Sequence, residues 1–241
     1  MNLIIDIGNT QIKYFIFLNK NVINSGFSNS LNEILINIKT YFDSINTVIY
    51  SDVRGIDTSI LHDKFQDKIV YSVKSNCFFP FKILYKTTES IGEDRLGLIS
   101  SAFLNFPKKN VLVIDVGSCI TYDLLTKEGH YLGGAISPGF SIRYKSLNQC
   151  TGKLPLVDYK KIPNKNIGDS TESSINIGVY YGVYYEIIGI IDSYFLKYQD
   201  LTVILTGGDV NILPKSIKNT IFANQNFLAQ GLNHLIEFNR N

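Results

Sequence analysis

The sequence is poor in the patterns that mark whole classes of protein. It has three cysteines, Cys77, Cys119 and Cys150, without a CxxC pair, and three histidines, His62, His130 and His234, in unrelated contexts. An odd, scattered set of thiols argues against a disulfide framework and offers no zinc-ligand spacing, and it suits a reducing compartment. Charge is sparse and balanced, with 18% of residues charged and a formal net charge of +2. Lysine and arginine are scattered, so no basic face invites nucleic acid. No run approaches the roughly 18 apolar residues of a membrane span, and no basic segment precedes the first apolar stretch. The expectation is a soluble cytoplasmic protein. Low-complexity and linker-like segments are also missing.

What is present is enough apolar residue, 45% of 241, for two domains, each of roughly 120 residues. One phrase occurs twice, as DIGNTQIK at 6–13 and DVGSCITYD at 115–123. In each, an apolar run ends in an acid two residues before a glycine. Short β-branched and aromatic runs at 2–8, 11–19 and 21–27 predict a three-strand meander, and 111–117, 119–126 and 131–139 predict a second. After the first meander the pattern predicts a helix over 30–42 opened by an SxxE capping box, a strand at 47–53, a helix at 59–65 and a strand at 68–73. After the second it predicts helices at 140–147 and 170–198, a buried strand at 201–207 and a final helix at 228–238. The fold class is α/β, two duplicated domains of mixed sheet with flanking helices, 1–108 and 109–241, parted at the polar Pro107–Asn110.

A duplicated acidic, glycine-containing turn has a physical use. Glycine lets the backbone approach a phosphate, hydroxyls and amides hold phosphate oxygens, and a strand-end carboxylate holds a cation directly or through water. Two such turns across an interdomain cleft would grip a nucleotide. Either turn alone is also what an ordinary hairpin shows.

Five stretches carry a resemblance: DIGNTQIK; IGEDRLG at 91–97, like a GxDR motif; DVGSCITYD, like DxGTxxTxD; GGAISPG at 133–139, like GGxIxPG; and TGGD at 206–209. In this order they resemble the type III pantothenate kinases, within the actin-like, sugar-kinase and heat-shock ATPase superfamily. The resemblance implies two actin-like, ribonuclease H-like domains, each with a five-stranded sheet, and an ATP cleft between them. It implies transfer of phosphate from ATP to pantothenate at the start of coenzyme A synthesis. The regulatory accessory factors proposed within the same family are the alternative.

Residue by residue, the resemblance makes Asp6, Ile7, Gly8, Asn9, Thr10, Gln11, Ile12 and Lys13 the first phosphate loop, with Asp6 near Mg2+ through water. Ser118 stands by the nucleotide where the family more often has threonine, which keeps the hydroxyl. Asp115 matches the ligand of a monovalent cation, K+ or NH4+. Asp94 is the expected base, with Tyr85, Gly92, Glu93, Arg95 and Thr171 around the substrate and a homodimer as the assembly. An aspartate is a weak base for an alcohol, but in a loose phosphoryl-transfer transition state the proton leaves late. Arg95 is a fork suited to a carboxylate or phosphate.

Some of these residues also read as plain structure. Ser90 to Glu93 is another SxxE pattern, so Glu93, Asp94 and Arg95 could be the charged first turn of a helix, and Thr171 could cap the long helix after it. Within that helix, Tyr181, Tyr185, Ile188 and Ile191 share a stripe beside Gly178, Gly182 and Gly189. That stripe is expected to be core or a subunit interface.

Overall fold

The computed structural model describes residues 1–158, 162–214, 217, 220–223 and 226–240. They form two compact units: Met1–Lys108 with Leu125–Leu132 and Gln225–Asn241, and Lys109–Leu124 with Gly133–Asn224. The expected segment 109–241 is therefore interrupted, since a hairpin tip and the last helix group with the first unit.

In the first unit, strands β1 (Asn2–Ile7), β2 (Ile12–Leu18) and β3 (Asn21–Ser28) form the meander, followed by helix α1 (Leu31–Asn37), β4 (Thr47–Asp52), α2 (Ser59–Lys64) and β5 (Ile69–Ser72). The sheet order is β3-β2-β1-β4-β5, with β1 antiparallel to β2 and parallel to β4. Alternation along the strands turns Leu3, Ile5, Ile7, Ile12, Tyr14 and Ile16 toward Leu31, Ile34, Leu35 and Ile38. The expected 30–42 helix stops at Asn37 and tightens into a 3-10 turn over Lys39–Ser44. Its capping box is half formed. Ser30 accepts from the Glu33 N–H at 3.3 Å, while the Glu33 carboxylate takes the Ser28 hydroxyl instead.

The first unit also holds the two-residue strand β6 (Lys82–Ile83), helix α3 (Glu93–Asn105) and helix α6 (Phe227–Arg240), numbered last in the chain. Helix α6 packs along α3 and against β1 and β4. A Cβ placed on Gly231 would lie 2.0 Å from the Gly97 carbonyl oxygen, so the two backbones touch. Polar ties finish the junction, with Asn2 Nδ2 donating to Asn233 Oδ1 at 2.8 Å and Arg240 Nη2 donating to Asn2 Oδ1 at 2.8 Å.

The later elements are β7 (Asn110–Val116), β8 (Cys119–Leu125), β9 (His130–Pro138), α4 (Phe140–Gln149), α5 (Thr171–Phe195), β10 (Leu201–Thr206) and β11 (Thr220–Phe222). The second sheet has the order β11-β10-β7-β8-β9-β6. Without β6 it repeats the first sheet's order. The expectation of five strands is short by one, because Lys82 and Ile83 pair in parallel with His130 and Tyr131 of β9.

Helix α5 buries Ile175, Val179, Tyr180, Val183, Ile187 and Ile191. Of the expected stripe only Ile191 is fully packed, and Tyr185 is 64% exposed. The helix is apolar on nearly every side, so a shift of one position, about 100° of rotation, escapes sequence periodicity. Around Gly178 and Gly189 nothing lies within 4 Å of an added Cβ, so these glycines do not mediate close packing among the described residues.

Candidate functional site

The first cluster grows from the β1–β2 hairpin. Asp6 lies at the penultimate position of β1, opposite Lys13 on β2 and beside Ser51 on β4. The Ser51 hydroxyl donates to Asp6 Oδ1 at 3.0 Å. Asn9 and Thr10 are exposed at the tip, and Ile7 and Ile12 anchor it in the core. A Cβ on Gly8 would meet the Gln11 carbonyl oxygen at 3.3 Å, so the turn is tight.

The second element of the cluster is the start of α3. Gly92 is its N-cap, so the SxxE reading does not hold, and the Ser90 hydroxyl bonds Thr87 instead. Asp94 is half-buried and its Oδ1 accepts the Arg95 N–H at 2.8 Å, where the helix dipole favours a carboxylate. A Cβ on Gly92 would sit 2.5 Å from Asp94 Oδ1, so a side chain here would displace that carboxylate. Arg95 is buried, with its guanidinium carbon 5.7 Å from the Tyr85 ring centroid. Tyr85 in turn stacks on Tyr131 at 6.5 Å and 7°. The arginine plane is thus held by aromatic support that fixes its direction.

Four carboxylates, Asp6, Asp52, Glu93 and Asp94, share this end of the unit. Burial pushes Asp6 up to about 6 and the Asp94 charge adds to the rise, while Lys13 and the Ser51 hydroxyl oppose it. Burial likewise pushes Glu93 up to about 7. The Asp52 N–H, donating to Glu93 Oε2 at 3.1 Å, opposes this; the Asp52 charge reinforces it, Lys74 opposes it, and Asp94 reinforces it. The folded protein therefore keeps a proton on Glu93 up to about pH 7, whereas the unfolded chain releases it near 4.5. The favourable contribution is present below that lower value and is lost as pH rises through 7. Urea denaturation should show wild type losing stability between pH 4.5 and about 7 by more than Glu93→Gln does. A difference that stays flat across that range would refute the assignment.

The second unit carries its own cluster. Asp115 lies at the penultimate position of β7, opposite Thr206 on β10. The turn after β7 is closed by the Gly117 N–H donating to the Cys119 carbonyl at 3.0 Å, and the Gly139 N–H donates to the Ser118 carbonyl at 3.0 Å. Gly207, at φ +108°, would carry a Cβ only 2.4 Å from Asp115 Oδ1, so the TGGD loop can close on this acid only through glycine. The core takes Ile114, Val116, Ile120 and Tyr122, which leaves Asp115 and Thr121 on the opposite face. Among the described residues the buried Thr121 hydroxyl has no hydrogen-bond partner. A carboxylate with hydroxyl and carbonyl oxygens nearby is the hard donor set a K+-sized ion takes, so these residues fit one. Among the described residues no group of three or more His, Cys, Asp or Glu side chains could hold a metal ion.

Thr171 opens α5, but the cap is Ser170, whose hydroxyl accepts the Ser173 N–H at 3.2 Å. That leaves Thr171 exposed on an open groove of about 770 Å3, lined also by Arg143, Leu154, Ser174 and Ile175. The structure thus brings Asp6, Lys13, Glu93, Asp94, Arg95 and Tyr85 together in the first unit. In the second it brings Asp115 and Ser118 to one strand end, with Thr171 on the groove.

Sequence reasoning missed Ser51 and Thr121. Their signal was available in position, since each lies on a strand facing the same way as a strand-end aspartate. Among the described residues no helix is long and apolar enough to cross a membrane.

Comparison with known proteins follows the same line. A family model described as type III pantothenate kinase matches residues 2–193. A type III pantothenate kinase of Christiangramia forsetii is 45% identical over 100% of this chain and 99% of its own length. One from Flavobacterium johnsoniae is 39% identical, covering 99% and 98%. Among solved structures, a Campylobacter jejuni protein assigned provisionally to the Baf family of transcriptional activators superposes with a TM-score of 0.62 at 19% identity, over 99% of this chain and 98% of that one. MreB5 of Spiroplasma citri bound to ADP superposes at 0.50 and 10% identity, covering 95% and 94%. These two likenesses show the actin-like fold alone. The full-length relatives and the family model add the rest, and this chain belongs to the type III pantothenate kinases.

Proposed function

We infer that this kinase moves the γ-phosphoryl of ATP to the primary hydroxyl of pantothenate, giving 4'-phosphopantothenate in the first step of coenzyme A synthesis, in the cytoplasm. The reading is carried by one observation beside the family: Asp94 stands in the first turn of α3 between a buried acid and a buried arginine. Asp94 orients the acceptor hydroxyl and takes its proton late in the transfer. Arg95 meets the substrate carboxylate or a phosphate, and Tyr85, Gly92, Glu93 and Thr171 shape the substrate's surroundings. The 6–13 hairpin and Ser118 hold ATP phosphates, with Asp6 holding Mg2+ through water. Magnesium, when bound, neutralises phosphate charge. Asp115, with Thr121 as a second donor, holds K+ or NH4+. A homodimer would use the exposed Tyr181–Tyr185 stack, 5.8 Å between centroids, as part of its interface.

The test is phosphate transfer from MgATP to pantothenate by the purified protein in potassium and again in sodium buffer. Turnover in potassium that falls by about tenfold or more in sodium supports the cation site. Equal turnover in both removes Asp115 from that role. No turnover in either, with ATP still bound, overturns the substrate.

A further inference from the structure

A second-unit network meets the residues assigned above at two places, the Gly139–Ser118 hydrogen bond and Arg143, which also lines the groove beside Thr171. Glu186, in the middle of α5, accepts from the Tyr122 hydroxyl at 2.8 Å and from the Ser137 hydroxyl on one carboxylate oxygen, and from Arg143 Nη2 on the other. Arg143 Nε also donates to the Pro138 carbonyl at 2.7 Å. Burial raises the Glu186 carboxyl, but the bonds from Ser137, Arg143 and Tyr122 outweigh it and hold it below its ordinary value. It is therefore an anion fixed by donors from β8, β9 and α4.

What this anion fixes is the end of the GGAISPG segment. Ser137 and Pro138 are held by Glu186 and Arg143, and the next residue, Gly139, donates its N–H to the Ser118 carbonyl. The approach is close, because a Cβ on Gly139 would lie 2.0 Å from the Gly117 carbonyl oxygen. Gly134, earlier in the segment, would put a Cβ 1.6 Å from the Tyr122 carbonyl oxygen. The strand therefore lies backbone against backbone on the β7–β8 hairpin. Displacing residues 137–139 moves the turn that carries Ser118.

We propose that Glu186 is a positioning residue for nucleotide binding, acting through Arg143, Ser137 and Gly139 on the Ser118 turn. The proposal rests on the reading that Ser118 meets ATP phosphates. Replacing the carboxylate by its neutral isostere leaves Arg143 without its counter-charge and loosens the segment. A charge-assisted bond of this kind supports about a tenfold effect.

The test is calorimetric affinity for MgATP together with steady-state kinetics on Glu186→Gln, Arg143→Gln, the double variant, Tyr122→Phe and Ser118→Ala. Glu186→Gln should weaken MgATP about tenfold and raise its KM in step, with the pantothenate KM held within about twofold. The double variant should be no worse than the poorer single one, because both act in one unit. Tyr122→Phe, which keeps the core ring, should give a smaller loss of the same kind and serves if Glu186→Gln does not fold. Unchanged MgATP affinity in Glu186→Gln, or in Tyr122→Phe where it stands in, overturns the proposal, as do additive losses in the double variant. Ser118→Ala separates the two readings. If it leaves MgATP affinity unchanged, the nucleotide role of Ser118 fails; if it weakens affinity while the Glu186 variant does not, only the positioning proposal fails.

Discussion

Asp94→Asn should lower kcat by about a thousandfold while changing MgATP affinity by no more than about twofold. The side chain keeps its size and can still accept the Arg95 N–H at the start of α3. What it loses is basicity: an amide oxygen cannot take the proton leaving the acceptor hydroxyl. Loss of the negative charge also removes a contribution that raises both Asp6 and Glu93, so both neighbours should ionise more readily. Because those shifts favour the charged form of Asp6, nucleotide and magnesium binding should survive. Single-turnover rates beside equilibrium affinities decide the matter, and a matching fall in affinity would take Asp94 out of the role of base.

Gly231→Ala should cost about 3 kcal/mol, the upper end of what overpacked core sites usually cost. The added methyl would stand 2.0 Å from the Gly97 carbonyl oxygen and 2.7 Å from the Ser101 nitrogen, both backbone atoms of a helix that cannot swing aside. For a chain of this size the melting temperature should fall by roughly 10 °C. Gly189→Ala is the matched control, since nothing lies within 4 Å of the new atom. It should stabilise the protein by about 0.5 to 1 kcal/mol through helix propensity. Equal melting temperatures for the two variants would mean that α3 and α6 do not pack as described.

Much of this was readable in advance, for stated reasons. Alternation sets a strand's faces, so the two meanders and the inward residues of β1 and β2 follow from the chain. Acid-x-glycine after an apolar run puts Asp6 and Asp115 at strand ends, where the structure has them. Other features depend on partners distant in sequence. Lys82 and Ile83 are too few to announce a strand and become one only by lying against β9. Tyr122, Ser137, Arg143 and Glu186 each look ordinary until four elements bring them together. The buried face of α5 was not legible because a helix apolar all round carries no phase, and Gly92 replaced Ser90 as cap because the Ser90 hydroxyl is spent on Thr87.

The return of α6 to the first unit bears on how the protein is made. A ribosome emits α3 early and α6 only after the whole second unit, so the first unit waits with Gly97, Ser101 and the flank of β1 uncovered. The strand meander can form at once, but the helix that presents Asp94 gains its backing only when α6 arrives. Nascent chains stalled before α6 should therefore expose that apolar flank to holdase chaperones, and the acid-bearing turn should be the last part of the first unit to resist protease.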